Sequence, residues 1–162
     1  MPDTYELHFR IQKPTEEQLE RVEEVADLLY AAHGGFYSLT LWQAGSSALD
    51  AGKKAIALLD QEDITVLHLV DDLVTRQDIA ERLNVTRQAV SNWIRGSRRG
   101  PGISLFPPPA NPAGGGLWIW QDINLWAQGT DGTDMGICHL GLMENAQINA
   151  WLSSQQRLTH AA

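Results

Sequence analysis

Apolar and polar residues alternate strictly from Tyr5 to Gln12, the period of a strand with one buried face. The pattern then changes. Pro14-Thr15-Glu16-Glu17 opens a helix, with Thr15 at the N-cap and carboxylates in the first turn, where they suit the helix dipole. Leu19, Val22, Ala26 and Leu29, widened by Val25 and Leu28, carry its apolar face towards Gly34-Gly35, which stops it. Phe36 to Trp42 is strand-like, and residues 36–45 supply either one strand or a hairpin. Gly45-Ser46-Ser47 leads into a second helix through Ala48, Ala55, Ile56 and Leu59, and Ile64 to Val70 is a strand rich in β-branched residues. This order predicts an α+β fold whose first part, residues 1–72, is a ferredoxin-like α/β sandwich: a split βαβ with two helices on one sheet face.

Residues 73–96 change character again. Thr75 caps a helix that buries Ile79, Ala80 and Leu83. Asn84 takes a turn position that requires left-handed dihedrals, and Val85 plugs the inside of the turn. Thr86 caps a second helix with Val90, Trp93 and Ile94 facing inward, and Ala80 is small enough for the two helices to cross closely. These are the demands of a helix-turn-helix, met at the required spacing.

After Gly96, the segments Ile103 to Phe106 and Leu117 to Trp120 read as two strands around a flexible tip containing Pro107-Pro108-Pro109 and Gly114-Gly115-Gly116. Asp122 then caps a short helix through Ile123 and Trp126. A hairpin placed directly after a recognition helix is a wing. With Val85 to Trp93, then Phe106-Pro107-Pro108-Pro109, then Trp118-Ile119-Trp120-Gln121-Asp122-Ile123 ending at Trp126, residues 73–128 resemble the winged helix-turn-helix of MerR-type, excisionase and AlpA-like DNA-binding proteins. The resemblance implies DNA binding over about a third of the chain. Residues 100–120 contain no Lys or Arg, whereas such wings usually grip phosphate. Residues 129–162 complete the chain as a turn-rich loop and a helix from Leu140 to Leu158, with Leu140, Met143, Ala146, Ala150 and Trp151 near one stripe.

Charge sharpens the picture. The chain of 162 residues carries 12 Lys/Arg and 20 Asp/Glu, a net charge of −8. Residues 1–72 hold 5 basic and 14 acidic side chains, residues 73–100 hold 6 and 2, and residues 101–162 hold 1 and 4. Half of the basic groups therefore lie in the central segment, which is where a polyanion can dock. The acidic first part repels DNA and confines docking to one face.

Candidate chemistry elsewhere is sparse. Cys138 is the single cysteine, so no disulfide within the chain is possible and thiol-rich zinc sites are excluded. The histidines, His8, His33, His68, His139 and His160, show no helical metal-ligand pair, and His8 and His68 are expected to face solvent from strands. Cys138-His139 does not make a thiolate–imidazole pair easily. Asp131 and Asp134 lack the spacing and the glutamate of a calcium loop. Trp93, Trp120 and Trp126 fall where a small winged domain needs core volume. No enzyme, cofactor or metal is expected. The start lacks the order of a secretion signal and no apolar run spans a bilayer, so the expectation is a cytoplasmic protein.

The DNA-contacting set expected from the sequence is Arg76, Thr86, Arg87, Gln88, Ser91, Asn92, Arg95, Arg98 and Arg99. Arg87 suits a bidentate contact to guanine and Gln88 one to adenine, with the helix from Thr86 to Arg95 in the major groove. Thr86, Ser91, Arg76, Arg95, Arg98 and Arg99 are assigned to phosphate. One such module has a small footprint, so the expected partner is double-stranded DNA bound by a homodimer or cooperative oligomer, and residues 1–72 are left with dimerisation, a protein partner or a small ligand as alternative roles. The alternative is an interaction adaptor (an antitoxin, anti-repressor or scaffold) in which a winged fold has lost DNA binding.

Overall fold

A computed structural model describes residues 2–96, 105–131 and 136–161, with backbone alone for 129–131 and 159–161. The chain divides into two units, residues 1–71 with 136–162, and residues 72–135.

In the first unit, β1 (Asp3–Ile11) buries Leu7, Phe9 and Ile11 on one face. It pairs antiparallel along its length with β3 (Phe36–Gly45), Leu7 opposite Leu41 and Phe9 opposite Leu39. β2 (Leu28–His33) pairs with the far side of β3, and β4 (Val66–Leu69) with the other side of β1, giving the order β2-β3-β1-β4. Helices α1 (Glu16–Glu23) and α2 (Ala48–Gln61) make the two crossovers, so β3 lies between the strands that α1 joins: a split βαβ arrangement within an α+β fold. Val22 of α1 and Ala51, Ala55 and Leu59 of α2 share one core with Leu7, Phe9 and Ile11, which places both helices on the same sheet face. Thr15 caps α1 through a box with Gln18, and Ser47 caps α2.

The first helix is shorter than its apolar stripe suggested. It ends at Glu23, and Leu28–His33 is a strand turning into β3 through Gly34-Gly35. Val25 and Leu29, two of the expected helical contacts, are 66% and 58% exposed, whereas Leu28 and Tyr30 pack against the core at strand spacing. A short apolar run satisfies either period, and pairing with β3 decides it. Residues 36–45 are accordingly one strand, and the hairpin is 28–45.

Residues 136–162 return to the first unit. β7 (Ile137–His139) pairs parallel with Thr4–Glu6 of β1, so Cys138 lies on a strand and not at a helix start. The last helix, α6 (Leu142–Ala161), buries Asn145, Ile148 and Leu152; Met143 is 83% exposed, and Ala146 and Ala150 are exposed too. Leu140 and Trp151 of the expected stripe pack with the core, but the stripe positions between them turn outward. Two amides explain it: Asn149 accepts from Leu69 N–H (2.7 Å) and donates to Leu69 C=O (3.1 Å), and Asn145 donates to Asp71 (3.0 Å). These pairs satisfy polar groups at the end of β4 and just beyond it, and they fix which face of α6 turns inward. Gly52 lets α6 approach α2, since a Cβ there would stand 2.8 Å from Ile148 Cδ1.

The opposite face of the sheet is polar. Glu6 Oε1 lies 2.8 Å from His8 Nε2 and 3.7 Å from His139 Nδ1, and Glu6 Oε2 accepts from Trp42 Nε1 (3.0 Å). His8 Nδ1 is also 3.1 Å from Thr40 Oγ1. His8 is therefore half-buried in a hydrogen-bonded cluster instead of facing solvent freely. Burial works to raise the Glu6 pKa, but the neighbouring His139 and His8 imidazoles, the second of them hydrogen-bonded to it, outweigh that and hold the carboxyl well below the usual range.

The second unit begins with β5 (Leu73–Val74), then α3 (Arg76–Arg82) and α4 (Arg87–Ile94). Thr75 and Asp78 form a capping box, and the backbone N–H of Thr75, then its hydroxyl, hold the Asp78 carboxyl below its ordinary pKa. Asn84 adopts a φ of 54° in the turn, and Val85 N–H bonds to Ala80 C=O (2.9 Å). β6 (Trp118–Ile119) pairs with β5, and α5 (Trp120–Asp131) follows at once. Asp122 thus lies inside the first turn of α5 and is not its cap.

The wing differs most from expectation. Ile103 and Ser104 lie outside the described residues, but Leu105 to Pro109 form no strand, and β6 takes β5 as its partner. A single bridge, Asn111 to Leu117, closes the tip around a 3-10 turn at Ala113–Gly115. Proline supplies no N–H for a ladder, so the segment is held by side chains. The Phe106 ring centroid lies 4.9 Å from that of Trp126 and 6.0 Å from that of Trp118, and Trp118 Nε1 donates to Pro107 C=O (3.0 Å). Trp118, Trp120 and Ile123 are buried with Val74, Ile79, Ala80 and Val90, and Trp93 packs at their edge. The tryptophans fill a core.

Candidate nucleic-acid interface

Thr86 starts α4: its Oγ1 accepts from Ala89 N–H (3.1 Å), so this hydroxyl is engaged in holding the helix. Val90, Trp93 and Ile94 face the core, which turns Arg87, Gln88, Ser91, Asn92 and Arg95 outward. The outward groups fall into two rows. Along one, Gln88 Nε2 donates to Asn92 Oδ1 (3.1 Å), and Arg95 Nη2 donates to the same oxygen (3.2 Å). This bonded ridge follows the i, i+4 and i, i+3 spacing of one helix face, so the three side chains are oriented together.

Arg87 and Ser91 make the second row. Arg76, at the start of α3, reaches across so that its Nη1 lies 3.4 Å from Ser91 Oγ. The Arg76 Nε atom is buried without a hydrogen-bond partner among the described residues. Arg76, Gln77 and Arg87, with Thr75 and the glycine backbone of 114–116, line a groove of about 380 Å³. Its described lining includes two guanidinium side chains and no carboxylate. The sequence points to Arg76 and Arg87 but not to the glycines that sit beside them. The run of three glycines is the available signal, and composition alone marks it only as a flexible tip.

Arg82 is removed from the field. It forks onto Asp72 with Nη1 at 2.6 Å and Nη2 at 3.0 Å from the two carboxylate oxygens, and its guanidinium lies 4.9 Å from the centre of the Trp120 ring. Arg98 and Arg99 lie outside the described residues. The outward face of α4 thus carries guanidinium, amide and hydroxyl groups, the chemistry that recognises phosphates and base edges.

A family model described as a homeodomain-like domain matches residues 64–104, which span α3, the turn and α4, and it supports a helix-turn-helix DNA-binding module there. No curated protein and no solved structure matches the chain. Among the described residues, no helix is long and apolar enough to cross a membrane.

Proposed function

We propose that this chain is a sequence-specific DNA-binding protein, a cytoplasmic transcriptional regulator that reads the major groove with α4 and has no catalytic role. The observation that carries the reading is the Gln88–Asn92–Arg95 ridge, hydrogen-bonded along the exposed face of a helix whose other face is core. A pre-oriented amide pair can present donor and acceptor to an adenine edge without first losing rotamer freedom. Gln88 is the base-reading residue, and Arg95, Ser91, Arg76, Arg98 and Arg99 supply phosphate contacts. Thr86 acts by holding the helix start. The MerR/excisionase-like resemblance fits the helix-turn-helix and the Phe106 anchor, although the described part of the wing is a short turn. The small footprint favours a homodimer or cooperative oligomer on DNA.

Selection of bound duplexes from a random pool tests this, comparing the native chain with Gln88→Ala. The native chain should enrich a defined motif, and the variant should lose preference at one position by roughly tenfold. Absence of binding to any duplex at low salt overturns the reading and leaves the adaptor role.

A further inference from the structure

We infer that the groove between Arg76, Arg87 and the glycine turn at 114–116 is a seat for one backbone phosphate of duplex DNA, so that Arg87 grips phosphate and does not read guanine. The inference rests on the DNA-binding reading above and deepens it.

Three observations converge. Two arginines from different helices border one groove whose described lining holds no acid, so the groove is positively charged and suits an anion. Arg76 Nη1 lies 3.4 Å from Ser91 Oγ, which holds the guanidinium of α3 beside the outward row of α4. The third wall is backbone. Gly114 and Gly115 have φ of 62° and 91°, and a Cβ added at either would meet nothing within 4 Å, so the turn leaves open space where a side chain would otherwise stand. Glycine permits close approach of main chain to a phosphodiester. A wing without Lys or Arg therefore still serves, by leaving room beside the two arginines while they supply the charge.

Equilibrium titration of the full chain on its selected duplex, over a range of salt, tests the seat. Neutralising one phosphate contributes about one unit to the slope of log K against log salt. Arg76→Gln and Arg87→Gln should each flatten the slope, and the double variant should flatten it by about one unit in all, because both arginines hold the same phosphate. A loss of about two units overturns the shared seat; no loss overturns the seat entirely. Gly114→Asn and Gly114→Asp, both tolerant of left-handed dihedrals, separate charge from bulk: the Asp variant should bind at least tenfold more weakly than the Asn variant, and equal affinities overturn the proposal. If the slopes are unchanged while millimolar inorganic phosphate raises the melting temperature of the native chain but not of Arg76→Gln, the groove serves a free anion and the duplex occupant is refuted. Failure of the native chain to bind any duplex overturns the DNA-binding reading itself, a result distinct from all of these.

Discussion

Gly116 and Trp118 are so close that a Cβ on the glycine would stand 2.5 Å from the indole Cη2. The indole is buried and anchored through its N–H to Pro107. Gly116 also has a φ of 108°, which an L side chain rarely adopts. Gly116→Ala should therefore destabilise the second unit by roughly 2 kcal/mol or more through overpacking and backbone strain. Denaturant unfolding followed by tryptophan fluorescence measures it. Gly114→Ala, with open space around the added carbon, should cost clearly less.

Thr86→Ala removes the cap of α4 and should lower stability by about 1 kcal/mol. Thr86→Ser should restore most of the loss. Affinity for all duplex sequences should fall in Thr86→Ala without a change of preferred motif, measurable by titration against matched and mismatched duplexes. A shift in motif would instead make Thr86 a base-reading residue.

Arg82 is engaged by Asp72 and Trp120. Arg82→Met should lower stability by about 1 kcal/mol, a modest figure because the arginine side chain is 38% exposed and solvent screens the pair. The salt slope of DNA binding should stay unchanged. A flattened slope would show that Arg82 leaves Asp72 for phosphate.

The first unit should lose stability in acid. The folded pKa of Glu6 lies below its ordinary value of 4.5, so its contribution is fully present above that value and disappears as pH falls through the folded pKa. Glu6→Gln should be less stable at neutral pH, and its melting temperature should fall less between pH 6 and about pH 3. Parallel melting curves for the two proteins check this.

What was legible in the chain was what short range decides. The capping residues Thr15, Ser47, Thr75 and Thr86, the left-handed Asn84 and the inward Ile79, Ala80 and Val90 stand as the sequence indicated, because each depends on neighbours within a turn or two. Residues 28–33 were not legible, because their apolar spacing fits two periods and only the partner strand breaks the tie. Nor was the inward face of α6, where Asn145 and Asn149 are buried or half-buried against Val70, Leu69 and Asp71, 74–80 positions away in the chain. Hydrophobic periodicity carries no mark of an amide that is satisfied from so far off.

The same division holds at the interface. The sequence alone determined that one segment of an acidic chain is basic, that it makes two capped helices around a tight turn, and which side chains of the second helix point outward. Tertiary structure decided what those side chains can do. It bonded Gln88 and Arg95 to Asn92, withdrew Arg82 onto Asp72, pinned the proline segment by Phe106 instead of a strand ladder, and brought Arg76 and Arg87 to one groove beside a glycine turn. Helix caps and periodicity act along the chain, whereas charge pairing and close approach depend on distances through space that only the folded core establishes.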